Sequence, residues 1–283
     1  MKNLYLILKG MTIGLANVIP GVSGGTLALI MGIYDHLTEA IGNFFINGKK
    51  RKEYFFFLLF VVGGALLGIL IFSRVFTFLL EYNQISKQIT YAFFIGLIGG
   101  SVPFIVKSHN DMSPKPLRLI IGIIGIILVL LTLFFNQGQG DVTVETSSPL
   151  RLLWLFICGT LSGGSMVIPG FSGSALLVSL GEYETVVGVY LGDIKTYLLP
   201  IIVFSLGAAT GIVIFAKLVE ICFKKFKSGT LYFILGLIVA SLVQISLKIG
   251  SGFDFSLLPL VGFCLALAGG FFLAYLTSKI KKQ

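Results

Sequence analysis

A nine-residue phrase occurs twice in this 283-residue chain, and no other feature of the sequence restricts its fold as much. Val18-Ile19-Pro20-Gly21-Val22-Ser23-Gly24-Gly25-Thr26 returns as Val167-Ile168-Pro169-Gly170-Phe171-Ser172-Gly173-Ser174-Ala175, 149 residues later. Laid without a gap, residues 10–41 and 159–190 agree at 11 of 32 positions, including Gly10, Gly14, Gly32 and Tyr34. Gly64, Ala65, Gly68, Ile69, Ile71 and Phe72 answer Gly207, Ala208, Gly211, Ile212, Ile214 and Phe215. Farther on, Thr90, Phe93, Gly96, Leu97, Ile98 and Ser101 answer Thr230, Phe233, Gly236, Leu237, Ile238 and Ser241. The chain is a duplication, with halves at 1–137 and 148–283 and a linker at 138–147 that we read as extracellular.

What surrounds the phrases is apolar. Hydrophobic residues make up 56% of the chain and charged ones 12%, with a mean hydropathy of +0.99; soluble domains carry roughly twice that charge. The sequence therefore reads as an all-α integral membrane protein. Its formal charge of +9 lies in short clusters between apolar runs, not on one basic face, which argues against a nucleic-acid partner. Cys158, Cys222 and Cys264 are odd in number, lie in or beside apolar runs and lack metal-ligand spacing, so they read as small buried hydrophobes. Lys9 interrupts the first apolar run and no small-residue cleavage site closes it, so the N-terminus reads as retained.

Six runs are long enough to span a core of about 30 Å: 54–80, 89–107, 117–135, 196–221, 230–248 and 257–277. Each half thus has three. The openings, 4–46 and 150–190, are broken in the middle by Pro-Gly-x-Ser-Gly, and length alone does not say whether each crosses twice or dips in and returns. Charge decides, because cytoplasmic loops collect Lys and Arg. If each opening is a re-entrant hairpin, 16 of the 21 basic residues fall on the side of both termini, in clusters at 2–9, 49–52, 107–118, 217–227 and 279–282. The other side keeps Arg74, Lys87, Arg151, Lys195 and Lys248 beside Asp141, Glu145, Glu182, Glu184, Asp193 and Asp254. Three crossings per half is an odd number, so the second half is inverted. The expected fold is an inverted-topology repeat, each half a re-entrant helical hairpin plus three transmembrane helices, with both tips near the midplane.

Irregular backbone at membrane depth survives only where protein buries it or it lines a polar cavity. Pro20 and Pro169 stop the incoming helix, and Ser23 and Ser172 stand where an N-cap belongs. A helix start of this kind suits an anion, phosphate above all. The candidate substrate-binding residues are Gly21, Ser23, Gly24, Gly25 and Thr26 with Gly170, Ser172, Gly173 and Ser174. The plainer reading, small residues that let hairpins pack closely, stays open. Arg74 and Lys217 are equivalent in the repeat and are further candidates; cations within spans suggest function, although both stand near span ends where long side chains reach the interface. Asp35 and Glu184 also correspond, each after a matched tyrosine, as proton-coupling groups or as solvated helix starts. Asn17 is matched by Met166 and adds hydrogen bonding to the first hairpin alone. His36 and His109 are isolated, and no metal, cofactor or hydrolase constellation is expected.

The paired Val-Ile-Pro-Gly-x-Ser-Gly phrases, with Gly10-Met11-x-x-Gly14 before the first, resemble the bacterial PopT family of polyprenyl-phosphate transporters over essentially the whole chain. The resemblance implies a multi-pass protein of the cytoplasmic membrane, not an enzyme. Its implied role is that of a flippase returning undecaprenyl phosphate, the lipid carrier of cell-wall and surface-polymer synthesis, from the outer to the cytoplasmic leaflet. A transporter or channel for a small anion is the alternative, and an integral-membrane lipid phosphatase or transferase a further one. In the carrier reading the headgroup meets the two serine tips, is drawn from outside by Arg74 and leaves inward past Lys217.

Overall fold

The computed structural model describes residues 2–18, 22–107, 111–134, 148–190, 192–250 and 253–280. Ile19, Pro20 and Gly21 of the first phrase, His109 and the linker at 138–147 lie outside them. All regular structure among the described residues is helical.

Each half opens with a helix that stops at the phrase. In the first half these are α1 (Lys2–Val18), a short α2 (Gly24–Ile30) and α3 (Tyr34–Asn43). The second half answers with α7 (Pro149–Val167), α8 (Gly173–Ser179) and a π-helical turn, Glu184–Tyr190. The second break has a matched cause. Gly32 and Gly181 both adopt positive φ, +68° and +73°. Across each, the next residue's N–H reaches five residues back, Ile33 to the Ala28 carbonyl at 3.1 Å and Glu182 to Leu177 at 3.0 Å. This is a glycine-terminated helix end, and a side chain at either position would be strained.

Long helices follow: α4 (Arg51–Glu81), α5 (Gln84–Lys107) and α6 (Pro116–Phe134), then α9 (Leu198–Lys225), α10 (Lys227–Gly250) and α11 (Leu257–Ile280). These coincide with the six expected apolar runs within a few residues at each end. Among the described residues, six helices are long and apolar enough to cross a bilayer, and they are α4, α5, α7, α9, α10 and α11. The set includes α7, the opening helix of the second half, while α6 supplies a shorter apolar stretch, Pro116–Thr132. A multi-pass membrane protein follows from either set.

Glycine explains which helices touch. A Cβ at Gly10 or Gly14 of α1 would run into the Val61 or Ala65 carbonyl of α4, and one at Gly64 or Gly68 into Ile7 or Met11. The α7–α9 crossing repeats this through Gly159, Gly163, Gly207 and Gly211. Backbones approach this closely only where side chains are missing, which is how helices associate in lipid. The remaining long helices pair across the halves. Helix α5 packs on α11 through Gly96 and Gly270, and α10 on α6 through Gly236, Gly122 and Gly125. The approach to α11 is pinned by Gln88 of α5, which accepts from the Asp254 N–H at 3.0 Å; the approach to α6 is pinned by Ser228 and Tyr232 of α10, which donate to the carbonyls of Asp111 and Met112. Exchanging the two halves maps one pair onto the other. The main core lies where α1, α2 and α3 meet α4, α5 and α10, around Leu27, Tyr34, Tyr54, Phe94, Ile98 and Ile238.

Candidate functional site

The two phrases meet inside the molecule. Ser23 donates to the Ile168 carbonyl at 3.3 Å, the Gly170 N–H donates to Thr26 Oγ1 at 2.8 Å, and the Tyr34 hydroxyl donates to the Val167 carbonyl at 2.9 Å. Gly25 lies so close that a Cβ there would stand 2.9 Å from the Val167 carbonyl. Gly170, at φ +80°, is wedged against the backbone of Leu237 and Ile238 in α10. Ser23, Thr26, Gly24, Gly25 and Gly170 are all buried.

The two tips are not chemically alike. Ser172 behaves as the expected N-cap, accepting from the Ala175 N–H at 3.4 Å, and its hydroxyl lies 2.9 Å from that of Ser174. Ser174 is exposed and Ser172 half-buried. Ser23 occupies the same position but caps nothing with its side chain. Asn17 does so instead, its Oδ1 accepting from the Gly24 N–H at 3.1 Å, and this frees Ser23 to bond across to the other half. The cap expected of Ser23 is thus moved to the one polar residue that Met166 replaces in the second copy. Gly173 packs behind the second tip, its carbonyl accepting from Ser162 at 3.1 Å.

Arg74 and Lys217, equivalent in sequence, have different surroundings. Arg74 is exposed on α4, and no ion pair or hydrogen bond involves it among the described residues. Lys217 is bound at the α3–α9 crossing, 2.6 Å from Asn43 Oδ1 and 2.8 Å from Glu220 Oε2, with Asn43 Nδ2 donating to the same oxygen at 2.7 Å. Lys224 pairs with the other oxygen of Glu220, which is buried. A Cβ at Gly42 would stand 2.8 Å from the Lys217 Cα, so α3 lies flush on α9. Asp35 is exposed in the first turn of α3, beside a small cleft that Glu39, Glu220, Lys224 and Lys227 also line. Glu184 is exposed in the first turn of the π-helical segment.

The buried carboxylate of that region is Glu182, which the sequence placed among loop charges. Arg151 grips it with both terminal nitrogens and Trp154 Nε1 donates to it at 2.8 Å. The two side chains are only 10% and 6% exposed. Sequence reasoning also missed Lys9, whose ammonium donates to the Met31 carbonyl at the end of α2 at 2.7 Å. Its position in the middle of an apolar opening was the available signal.

A cleft of about 900 Å³ opens between α6 on one side and α9 and α10 on the other. Its inner end is formed by Ile168 and Pro169 of the second phrase with Tyr34, and its mouth carries Arg118, Lys224, Lys225 and Lys227. No group of three or more metal-ligating side chains occurs among the described residues.

These features define a class: a multi-pass helical membrane protein whose corresponding halves meet through two broken helices, with basic residues and an apolar cleft beside them. The chain belongs to the undecaprenyl phosphate translocase-like family, which it matches over residues 13–248. It is 31% identical over 261 residues to the polyprenyl-phosphate transporter of Vibrio cholerae serotype O1, covering 87% of this chain and 78% of that one. It is 30% identical over 245 residues to the polyprenyl-phosphate transporter of Staphylococcus aureus, covering 84% of each. No solved structure matches.

Proposed function

We propose that this chain moves polyprenyl phosphate, undecaprenyl phosphate in particular, from the outer to the cytoplasmic leaflet of the bacterial cytoplasmic membrane. The observation that carries the reading is the direct contact between the two phrases, Ser23 and Thr26 of one bonded to Ile168 and Gly170 of the other. Two irregular tips joined at the centre of a membrane protein suit a carrier that opens to each side in turn. In this reading the halves are inverted, the openings are re-entrant and both termini face the cytoplasm. The hydroxyls of Ser172 and Ser174, which reach the surface, meet the phosphate beside Gly173, while Ser23 and Thr26, with Gly24 and Gly25, form the joint between the tips. Arg74 supplies the positive charge on the outer side, and Lys217 is released to the headgroup when α3 leaves α9. Asp35 and Glu184 are the carboxylates that a coupling proton would use.

Liposomes test this. With the purified chain present, a membrane-impermeant phosphatase added outside should consume the whole pool of undecaprenyl phosphate; without it, only the outer-leaflet share. Ser172→Ala with Ser174→Ala should slow the approach to completion. If the inner pool stays protected while inorganic phosphate is taken up, the substrate is a small anion and the reading fails. Phosphate release without added phosphatase would make the chain an enzyme.

A further inference from the structure

The cleft between α6, α9 and α10 carries a charge pattern that selects one kind of occupant. Its walls are apolar, with Leu117, Leu128 and Leu218 exposed along them. Two of the four cations at its mouth are already paired: Arg118 with Asp111, Nη1 to Oδ1 at 2.9 Å and Nη2 to Oδ2 at 2.5 Å, and Lys224 with Glu220, which Lys217 shares. Lys225 and Lys227 are exposed, and no carboxylate lies within ion-pair distance of either among the described residues. An apolar trough with two ammonium groups at one end that form no ion pair, Lys227 also bordering the cleft of Asp35, Glu39 and Glu220, complements a hydrocarbon chain with an anionic head. A space of this size holds a drug-sized fragment, so a long-chain lipid would seat only its head and first units and leave the rest in the bilayer.

We propose that this cleft is the cytoplasmic-leaflet berth of the transported lipid, with the phosphate at Lys225 and Lys227 and the first isoprene units along α6 and α9 toward Pro169. The assignment rests on the transport reading above and adds a site to it. The inner end of the cleft is Ile168–Pro169, in the irregular segment that the first tip grips through Ser23 and Thr26. A lipid leaving the joined tips therefore has a continuous apolar wall to follow outward, and the lysines are the first unpaired cations along it.

The test measures binding to the purified full-length chain in detergent, with undecaprenyl phosphate, undecaprenol and inorganic phosphate as probes, alongside the liposome assay. Lys225→Gln with Lys227→Gln should weaken undecaprenyl phosphate binding about tenfold or more, since two charge-assisted contacts to one phosphate are lost. The Lys225→Arg, Lys227→Arg pair should restore it. Ile121→Trp, which fills the wall, should weaken undecaprenyl phosphate and undecaprenol alike. The proposal is overturned if the double glutamine variant binds as the wild type does, if undecaprenol binds as tightly as its phosphate, or if inorganic phosphate alone competes as well as the lipid. Wild-type protein that fails to translocate would sink the transport reading; wild-type translocation matched by an unimpaired double variant would sink the berth alone.

Discussion

The residues that recur in both halves recur for packing reasons that the structure makes specific. Gly14 and Gly211 each stand against a facing backbone carbonyl, so Gly14→Val and Gly211→Val should each lower stability by about 1–3 kcal/mol through overpacking. The midpoint of thermal unfolding in mild detergent measures this, and Gly269→Val, where an added Cβ meets nothing, should leave the midpoint in place. Thr26→Val removes the acceptor of the buried Gly170 N–H and should cost about 1–3 kcal/mol, with Thr26→Ser restoring it. Asp111 lies outside the spans, and the hydrogen bond from Arg118 holds its carboxyl well below the usual range. A depressed folded value gives stability that is present above the unfolded pKa of about 3.9 and is lost only as pH falls through the folded one. Backbone hydrogen exchange across 111–118, corrected for its intrinsic rate, should therefore be the same at about pH 5 as at about pH 8.

At the scale of elements, the matched openings of the two halves do not make matched contacts. Helix α3 lies against α9 through Gly42, Asn43, Lys217 and Glu220, while Arg74, the counterpart of Lys217, is exposed. Glu220→Ala should cost about 1–2 kcal/mol, because it removes the carboxylate that the half-buried Lys217 and Asn43 share while leaving them bonded to each other; Lys224→Ala, at an exposed position, should cost under about 1 kcal/mol. Unfolding midpoints of the two variants in detergent separate these outcomes. The long helices were legible because an unbroken apolar run has one interpretation in a chain this hydrophobic. The tips were legible as places, through the doubled Pro-Gly and the matched Gly32 and Gly181. Their bonding was not. Ser23 and Ser172 are the same residue in the same phrase, and only the neighbour at 17 or 166, Asn or Met, decides which of them caps its helix and which reaches across. Glu182 was likewise unreadable, since its partner Arg151 lies on α7, 31 residues away; Glu220 pairs locally with Lys217 and Lys224, and only the Asn43 amide that joins them comes from afar, 177 residues away on α3.

For the whole molecule, the cross-half pairs α5–α11 and α6–α10 mean that neither half contains the surfaces that complete it. Residues 1–147 and 148–283 expressed as separate chains should each fail to give a monodisperse product, and expressed together they should co-purify. Two stable, independent halves would contradict the pairing. The proposed inversion has its own readout: a single cysteine at Lys87 should react with an impermeant maleimide added to intact cells, and one at Lys49 only after lysis.

The glycine face of α5 also sets a schedule for the cell. Gly96 is shaped to a helix that carries Gly270, and a ribosome adding roughly 5–20 residues per second reaches that helix on the order of ten to thirty seconds later. Throughout that interval α5 stands in the bilayer with a notched, unfilled face, open to any small-residue helix of another nascent protein; α6 waits a shorter time, until α10 is made. The pairing of α5 is therefore completed only after the second half has been made.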